Sequence, residues 1–194
     1  MKRYCLYLFI LIGISCSAEL KAQKNGTVYK GNDPAVRYTG RTLVSPDGSV
    51  AFDWVGTYLE TRFTGGKLSV KVSETGTSYY NVFVDGKLHK VVKVCGTDTL
   101  IHLVSGIDKR IHSLKIQKRS EGEFGKTTVH QFVLSGSGRL AEEPAVRTRH
   151  IEFIGNSLTC GYGTDGKHRD EPFLVETENC NLTFASMVAR YYDA

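Results

Sequence analysis

Tyr80-Asn81-Val82-Phe83-Val84-Asp85-Gly86-Lys87-Leu88-His89-Lys90-Val91-Val92 is the stretch that decides the fold. Tyr80, Val82 and Val84 alternate with Asn81 and Phe83, so an extended chain carries the first three on one face. Asp85-Gly86 interrupts the alternation, and Val91-Val92 resume the apolar pattern. A two-residue loop between paired strands needs positive φ at both central positions, which Asp-Gly tolerates well. The reading is a tight antiparallel hairpin.

Outward from this hairpin the same period-two texture runs from about Val36 to Gly138. Leu68, Val70 and Val72 alternate with Ser69 and Lys71; Ile101 to Val104, Leu114 to Gln117 and Phe132 to Leu134 continue the series. Pro46-Asp47-Gly48, Gly65-Gly66 and Gly106-Ile107-Asp108 punctuate it as turns. Strands are expected near 41–44, 50–54, 58–64, 67–73, 79–84, 88–94, 99–104, 111–118 and 128–135. Short strands at such even spacing predict an antiparallel β-sandwich, each strand burying one face. A jelly roll suits the pattern better than an immunoglobulin type, whose cysteine–tryptophan–cysteine spacing is absent. Trp54, the lone tryptophan, is read as a core residue of a strand, with a sugar-stacking platform as the alternative. His89, His102, His112 and His130 alternate with apolar neighbours and are expected to face solvent.

The two ends differ from this body. Lys2 and Arg3, the apolar run Tyr4 to Ile14 and the small residues after it read as an export leader over residues 1–22, cleaved after Ala22, or alternatively after Ala18. The run is shorter than the roughly 20 residues of a membrane-spanning helix, and no later segment is apolar enough to span. Ser15-Cys16 offers a second reading, a lipid anchor at Cys16. The expected location is therefore exported from a bacterial cell: periplasmic, cell-surface or secreted. The formal charge of +5 falls to +3 once Lys2, Arg3, Lys21 and Glu19 of the leader are set aside. What remains is scattered without a basic stripe, which excludes nucleic acid as the expected partner.

Near residue 139 the texture changes. Residues 23–138 are assigned to the sandwich, 139–149 to a linker, and 150–194 to the start of a second domain. In that last part His150-Ile151-Glu152-Phe153-Ile154 reads as a strand, a polar loop follows, and Leu182 to Tyr192 has apolar residues at 184, 187, 188 and 191. That is the spacing of one helix face, with Asn181 or Thr183 as cap. One strand, one loop and one helix do not close an α/β core. Cys160 and Cys180 are the preferred disulfide pair of the three cysteines after the leader, with free buried thiols left open and Cys95 left over. Asp165, Asp170, Glu171 and Glu178 lack the regular spacing of a calcium loop and read as a solvated loop.

The chemistry concentrates in Ile151-Glu152-Phe153-Ile154-Gly155-Asn156-Ser157-Leu158-Thr159-Cys160-Gly161-Tyr162-Gly163. A strand ending in glycine with serine on the turn beyond it places a hydroxyl at a sheet's carboxyl edge, where α/β sites form. The bland alternative is a tight Asn-Ser turn and nothing more. The string resembles the first block of the SGNH (GDSL-type) hydrolases, and at length it is similar to carbohydrate esterase family two. Phe52-Asp53-Trp54-Val55-Gly56, Glu60-Thr61-Arg62-Phe63-Thr64-Gly65, Val84-Asp85-Gly86 and Lys118-Arg119-Ser120-Glu121 also look like that family's sandwich, so the resemblance spans about residues 37–194.

The resemblance implies a jelly roll followed by an SGNH hydrolase domain, and removal of acetyl groups from xylan, mannan or a related plant polysaccharide. It implies Ser157 as nucleophile, the Ser157 N–H as one oxyanion donor, and Gly155 and Asn156 as the supporting turn. No metal or organic cofactor is implied. Asn156 stands where the family usually has Asp, a near-isosteric change that keeps an acceptor. The family's further oxyanion donors and its late Asp-x-x-His are not found in the 37 residues after Ser157. A serine hydroxyl without a base is a weak nucleophile near neutral pH, so this chain alone is expected to be inactive. His150 and His168 are read as exposed rather than as the base. The alternative from a different class is a non-catalytic carbohydrate-binding sandwich.

Overall fold

The computed structural model describes residues 26–142 and 145–194. The expected leader, its cleavage sites and the anchor at Cys16 lie outside the described residues. Among the described residues seven strands form one antiparallel sheet: β1 (Gly26–Lys30), β2 (Val36–Thr39), β3 (Leu43–Val44), β4 (Val50–Phe52), β5 (Tyr58–Val84), β6 (Lys87–Lys118) and β7 (Thr127–Ser135). The order runs β2-β5-β7-β4-β3, with β1 against β7 and β6 against β5.

The hairpin forms where the alternation placed it. Asp85 and Gly86 have φ of 50° and 75°, as a tight primed turn requires. The strands formed are fewer than the nine expected, because several expected ones run together in β5 and β6. The Gly65-Gly66 signal marks no turn: β5 continues through it with register shifts between Thr64 and Gly66 and between Gly66 and Leu68. Gly66 at φ 91° lets the strand bend while its ladder survives. Gly106 to Asp108 likewise lies inside β6. Bending lets one stretch use both of its edges, so Val82 pairs with Lys90 on one side and with Ile116 on the other. The result is a sheet curled on itself in jelly-roll fashion.

Inside the curl lie Phe52, Leu59, Phe63, Leu68, Val70, Val82, Leu103, Leu114, Phe132 and Leu134, all buried. Each large side chain so enclosed contributes about 1.5–3 kcal/mol relative to exposure. Leu140, in the expected linker, is also buried in this core and bridges to Phe63. β1 and β2 lie outside the strands expected from the sequence. Val28 in β1 is exposed, so this edge strand lacks a strong one-face pattern.

Beyond the sandwich come a one-turn helix α1 (Ser157–Cys160), 3-10 turns at Val175–Thr177 and Cys180–Leu182, and helix α2 (Phe184–Tyr191). The strand expected at 150–154 is not formed. A strand exists through its neighbours' hydrogen bonds, and no described strand pairs with this segment, leaving Ile151 and Ile154 exposed. Helix α2 forms with Thr183 at its N-cap. Its expected apolar face, Phe184, Met187, Val188 and Tyr191, points outward, and Ala185 is the buried residue. No helix among the described residues is long and apolar enough to cross a membrane.

Candidate active site

Arg119 anchors the C-terminal segment to the sandwich. It follows the last residue of β6 and is 3% exposed. Its Nε donates to Glu178 O at 3.0 Å, its Nη2 donates to Glu176 O at 3.1 Å, and the same nitrogen pairs with the Asp165 carboxylate. Cys180 S–H donates to Lys118 O at 3.2 Å, and Glu121 N–H donates to Glu178 Oε2 at 3.2 Å. Residues 118–121 and 176–180 are thus bound along their length. A charged group holding buried carbonyls in place gives stronger bonds than neutral donors would.

On this support sits the turn that presents Ser157. Asn156 is extended, and its Oδ1 accepts from Leu158 N–H at 3.2 Å, capping α1. Asparagine therefore performs the capping that its side-chain oxygen permits. Gly155 is required by crowding: a Cβ there would fall 2.1 Å from Thr159 Oγ1. Gly161 ends the turn at φ 90°, its N–H donating to Ser157 O at 2.9 Å. The Ser157 side chain is exposed, and its N–H has no acceptor among the described residues.

Ser157 lines an open cleft of about 720 Å³ between the sandwich and the C-terminal segment. Asp53, Trp54, Val55, Glu121 and Glu123 form the sandwich wall; Gly155, Asn156, Cys160 and Tyr162 stand with Ser157 on the other. The volume is in the range of small-molecule sites. Tyr162 stacks on Phe173, with ring centroids 3.4 Å apart, and Phe173 in turn lies 5.5 Å from Phe124 of the sandwich, which holds the loop against the sheet.

Trp54, Glu178, His112 and the cysteines differ from what the sequence predicts. Trp54 is not core: it is 57% exposed in the cleft wall, with the Arg41 guanidinium 5.0 Å from its ring centroid. It falls in the loop after β4, where the alternation that would have turned it inward no longer applies. Glu178 is not a solvated loop residue but fully buried, because the Arg119 bond draws its backbone against the sheet. Burial pushes its carboxyl up to about 7, against the opposing hydrogen bond from Glu121 N–H. His112 is not solvent-facing. It is 1% exposed, with Nδ1 2.8 Å from Asp85 Oδ2 and Nε2 2.9 Å from Asp108 Oδ1. Cys160 and Cys180 are free thiols, as is Cys95. Cys180 turns to the sandwich backbone while Cys160 faces Glu121, and burial pushes both thiols up to about 12.

The described residues bring no histidine to the nucleophile candidate: none lines the cleft, and His150 and His168 are exposed elsewhere. Glu121 and Cys160 of the cleft lining, with the buried Glu178, offer three ligand atoms within 4.8 Å of one another. Arg119, the residue that builds the junction, was visible in the sequence only as part of the Lys118-to-Glu121 stretch.

The profile of the Carbohydrate esterase 2 N-terminal family matches residues 38–144. The chain is 32% identical over 163 residues to the cellulase/esterase CelE of Acetivibrio thermocellus, covering 84% of this chain and 20% of that protein. It is 29% identical over 164 residues to an acetylxylan esterase/glucomannan deacetylase of Cellvibrio japonicus, covering 84% of this chain and 45% of the relative. The structure of a family two carbohydrate esterase from Cellvibrio japonicus superposes with a TM-score of 0.80 at 25% identity, covering 88% of this chain and 50% of that one. The chain thus spans half or less of the length of these relatives.

Proposed function

This chain belongs to the carbohydrate esterase 2 family, and on that premise we propose that it forms the N-terminal part of an exported bacterial O-acetyl esterase acting on xylan, glucomannan or a related polysaccharide. The observation that carries the reading is Ser157, exposed on a capped turn in the wall of an open cleft. Its hydroxyl attacks the acetyl carbonyl, and the Ser157 N–H donates to the oxygen that gains charge. A histidine from outside the described residues takes the serine proton and returns it to the departing sugar hydroxyl; water then hydrolyses the acyl-serine. Ile154 and Leu158, which flank this turn in the chain, are exposed, as are Phe184, Met187 and Tyr191 of α2, apolar surface suited to packing by further α/β elements.

The test is hydrolysis of 4-nitrophenyl acetate. The 194 residues alone give background rates, whereas a form extended by its downstream coding sequence hydrolyses the ester. Ser157→Ala in that form lowers kcat by on the order of 10⁶. Activity in the short chain that Ser157→Ala removes would overturn the missing base, and activity in the long form indifferent to Ser157→Ala would overturn the nucleophile. A second reading, a carbohydrate-binding sandwich, is favoured by one observation: the exposed Trp54 face in the same cleft.

A further inference from the structure

Glu121, Cys160 and Glu178 are far apart in sequence and make no ligand motif there. The fold gathers them where the end of β6, the turn after Ser157 and the loop bound by Arg119 converge. One ligand-type atom from each lies within 4.8 Å of the other two. The frame is rigid on two sides: Glu121 N–H is bonded to Glu178 Oε2, and the Glu178 backbone to Arg119.

The cluster is short of positive charge. Glu178 is fully buried, and its Oε1 has no hydrogen-bond partner. The Glu121 and Glu123 carboxylates are near enough to oppose its charge, and Lys118 is near enough to favour it. The Lys118 ammonium is engaged elsewhere, donating to Ser78 Oγ at 2.6 Å and to Gly125 O at 3.1 Å. A buried acceptor left unpaired beside a second carboxylate costs free energy unless a proton or a cation satisfies it.

We propose that Glu121, Cys160 and Glu178 bind a thiophilic divalent cation of the zinc type, with the fourth position open to the cleft. One sulfur and two carboxylate oxygens are a donor set zinc accepts, and three protein ligands leave a tetrahedral ion one exchangeable site. Zn–S and Zn–O bonds of about 2.3 and 2.0 Å place ligand atoms about 3.3–3.5 Å apart, so the three atoms, already within 4.8 Å of one another, approach by no more than about 1.5 Å on binding. Glu121 and Cys160 are half-buried, and both line the open cleft. Coordination replaces the Cys160 S–H bond by a sulfur–metal bond, and that proton leaves to solvent. The site does not depend on the esterase reading, since binding is measured without turnover.

The probe is cobalt(II), titrated into the tag-free, reduced, metal-free chain. The expected result is thiolate-to-cobalt charge-transfer absorption that saturates at one equivalent, releases protons and is bleached by zinc. Cys160→Ser removes the band, Cys95→Ser leaves it, and Glu178→Gln weakens affinity at least tenfold, as loss of a direct ligand should. A folded wild-type chain without the band, or a band that survives Cys160→Ser, overturns the proposal. Should Cys160→Ser fail to fold, the wild-type chain still decides: zinc slows alkylation of Cys160 at least tenfold, read by peptide mass, and an unchanged rate overturns the site.

Discussion

Asn81 Nδ2 donates to Asn179 Oδ1 at 2.9 Å, joining two buried residues 98 positions apart. Asn81 lies between Tyr80 and Val82 on β5, so its side chain leaves the sheet on the face opposite the core. That outer face would be wet if the sandwich stood alone. Here the C-terminal segment lands on it, and polar groups from both partners complete one another.

The junction predicts its own weak point. Arg119→Met removes the donor to Glu178 O, to Glu176 O and to Asp165 at once. A loss of about 2–3 kcal/mol is expected for buried groups left without their charged partner. Urea unfolding checks the magnitude, and limited proteolysis checks the place: cleavage between 161 and 178 should appear early, while the sandwich stays intact. A variant as stable and as protease-resistant as the wild type would remove Arg119 from this role.

A second prediction concerns acid. The hydrogen bond from His112 and the Ser113 N–H hold the Asp85 carboxyl below its usual range. The Arg110 N–H, with the bond from His112, does the same for Asp108. A carboxyl depressed in the folded state stabilises it at pH above about 4, the unfolded value, and this contribution is lost as the pH falls through the depressed values. Asp85→Asn should therefore lower stability at pH 7 and flatten the decline below pH 4. Urea midpoints across that range test it, and parallel acid limbs for variant and wild type would contradict it.

The serine turn is sensitive to a single methyl group. Gly155→Ala sets a Cβ against Thr159 Oγ1 and Cβ, at 2.1 and 3.0 Å, and overpacking of this kind costs about 1–3 kcal/mol. Adding Thr159→Ala removes the closer contact, so the double variant should regain part of the melting temperature lost. Equal losses in single and double variants would place the strain elsewhere.

Trp54 separates binding from stability. Exposed as it is, Trp54→Ala should change stability by less than about 0.5 kcal/mol. It should nevertheless reduce retardation of the chain in glucomannan or xylan gels, because an aromatic face suits a pyranose ring. Ser157→Ala should leave retardation unchanged. Migration of Trp54→Ala identical to wild type in both gels would assign the ring a merely structural place beside Arg41.

What the amino-acid order determined by itself is local. Period-two alternation and Asp85-Gly86 specify a hairpin because side-chain direction and turn φ depend on neighbours in the chain. Gly155-Asn156-Ser157 specifies a capped turn for the same reason. The tertiary structure alone decided that the Gly65-Gly66 signal bends a strand rather than ends it, that 150–154 stays unpaired, and that Trp54 faces the cleft. It also decided that Glu178 and His112 are buried. Each of these depends on which groups from distant positions arrive opposite one another. A buried carboxylate or histidine is tolerable only where its partners come too, and no periodicity records those partners when they lie tens of residues away.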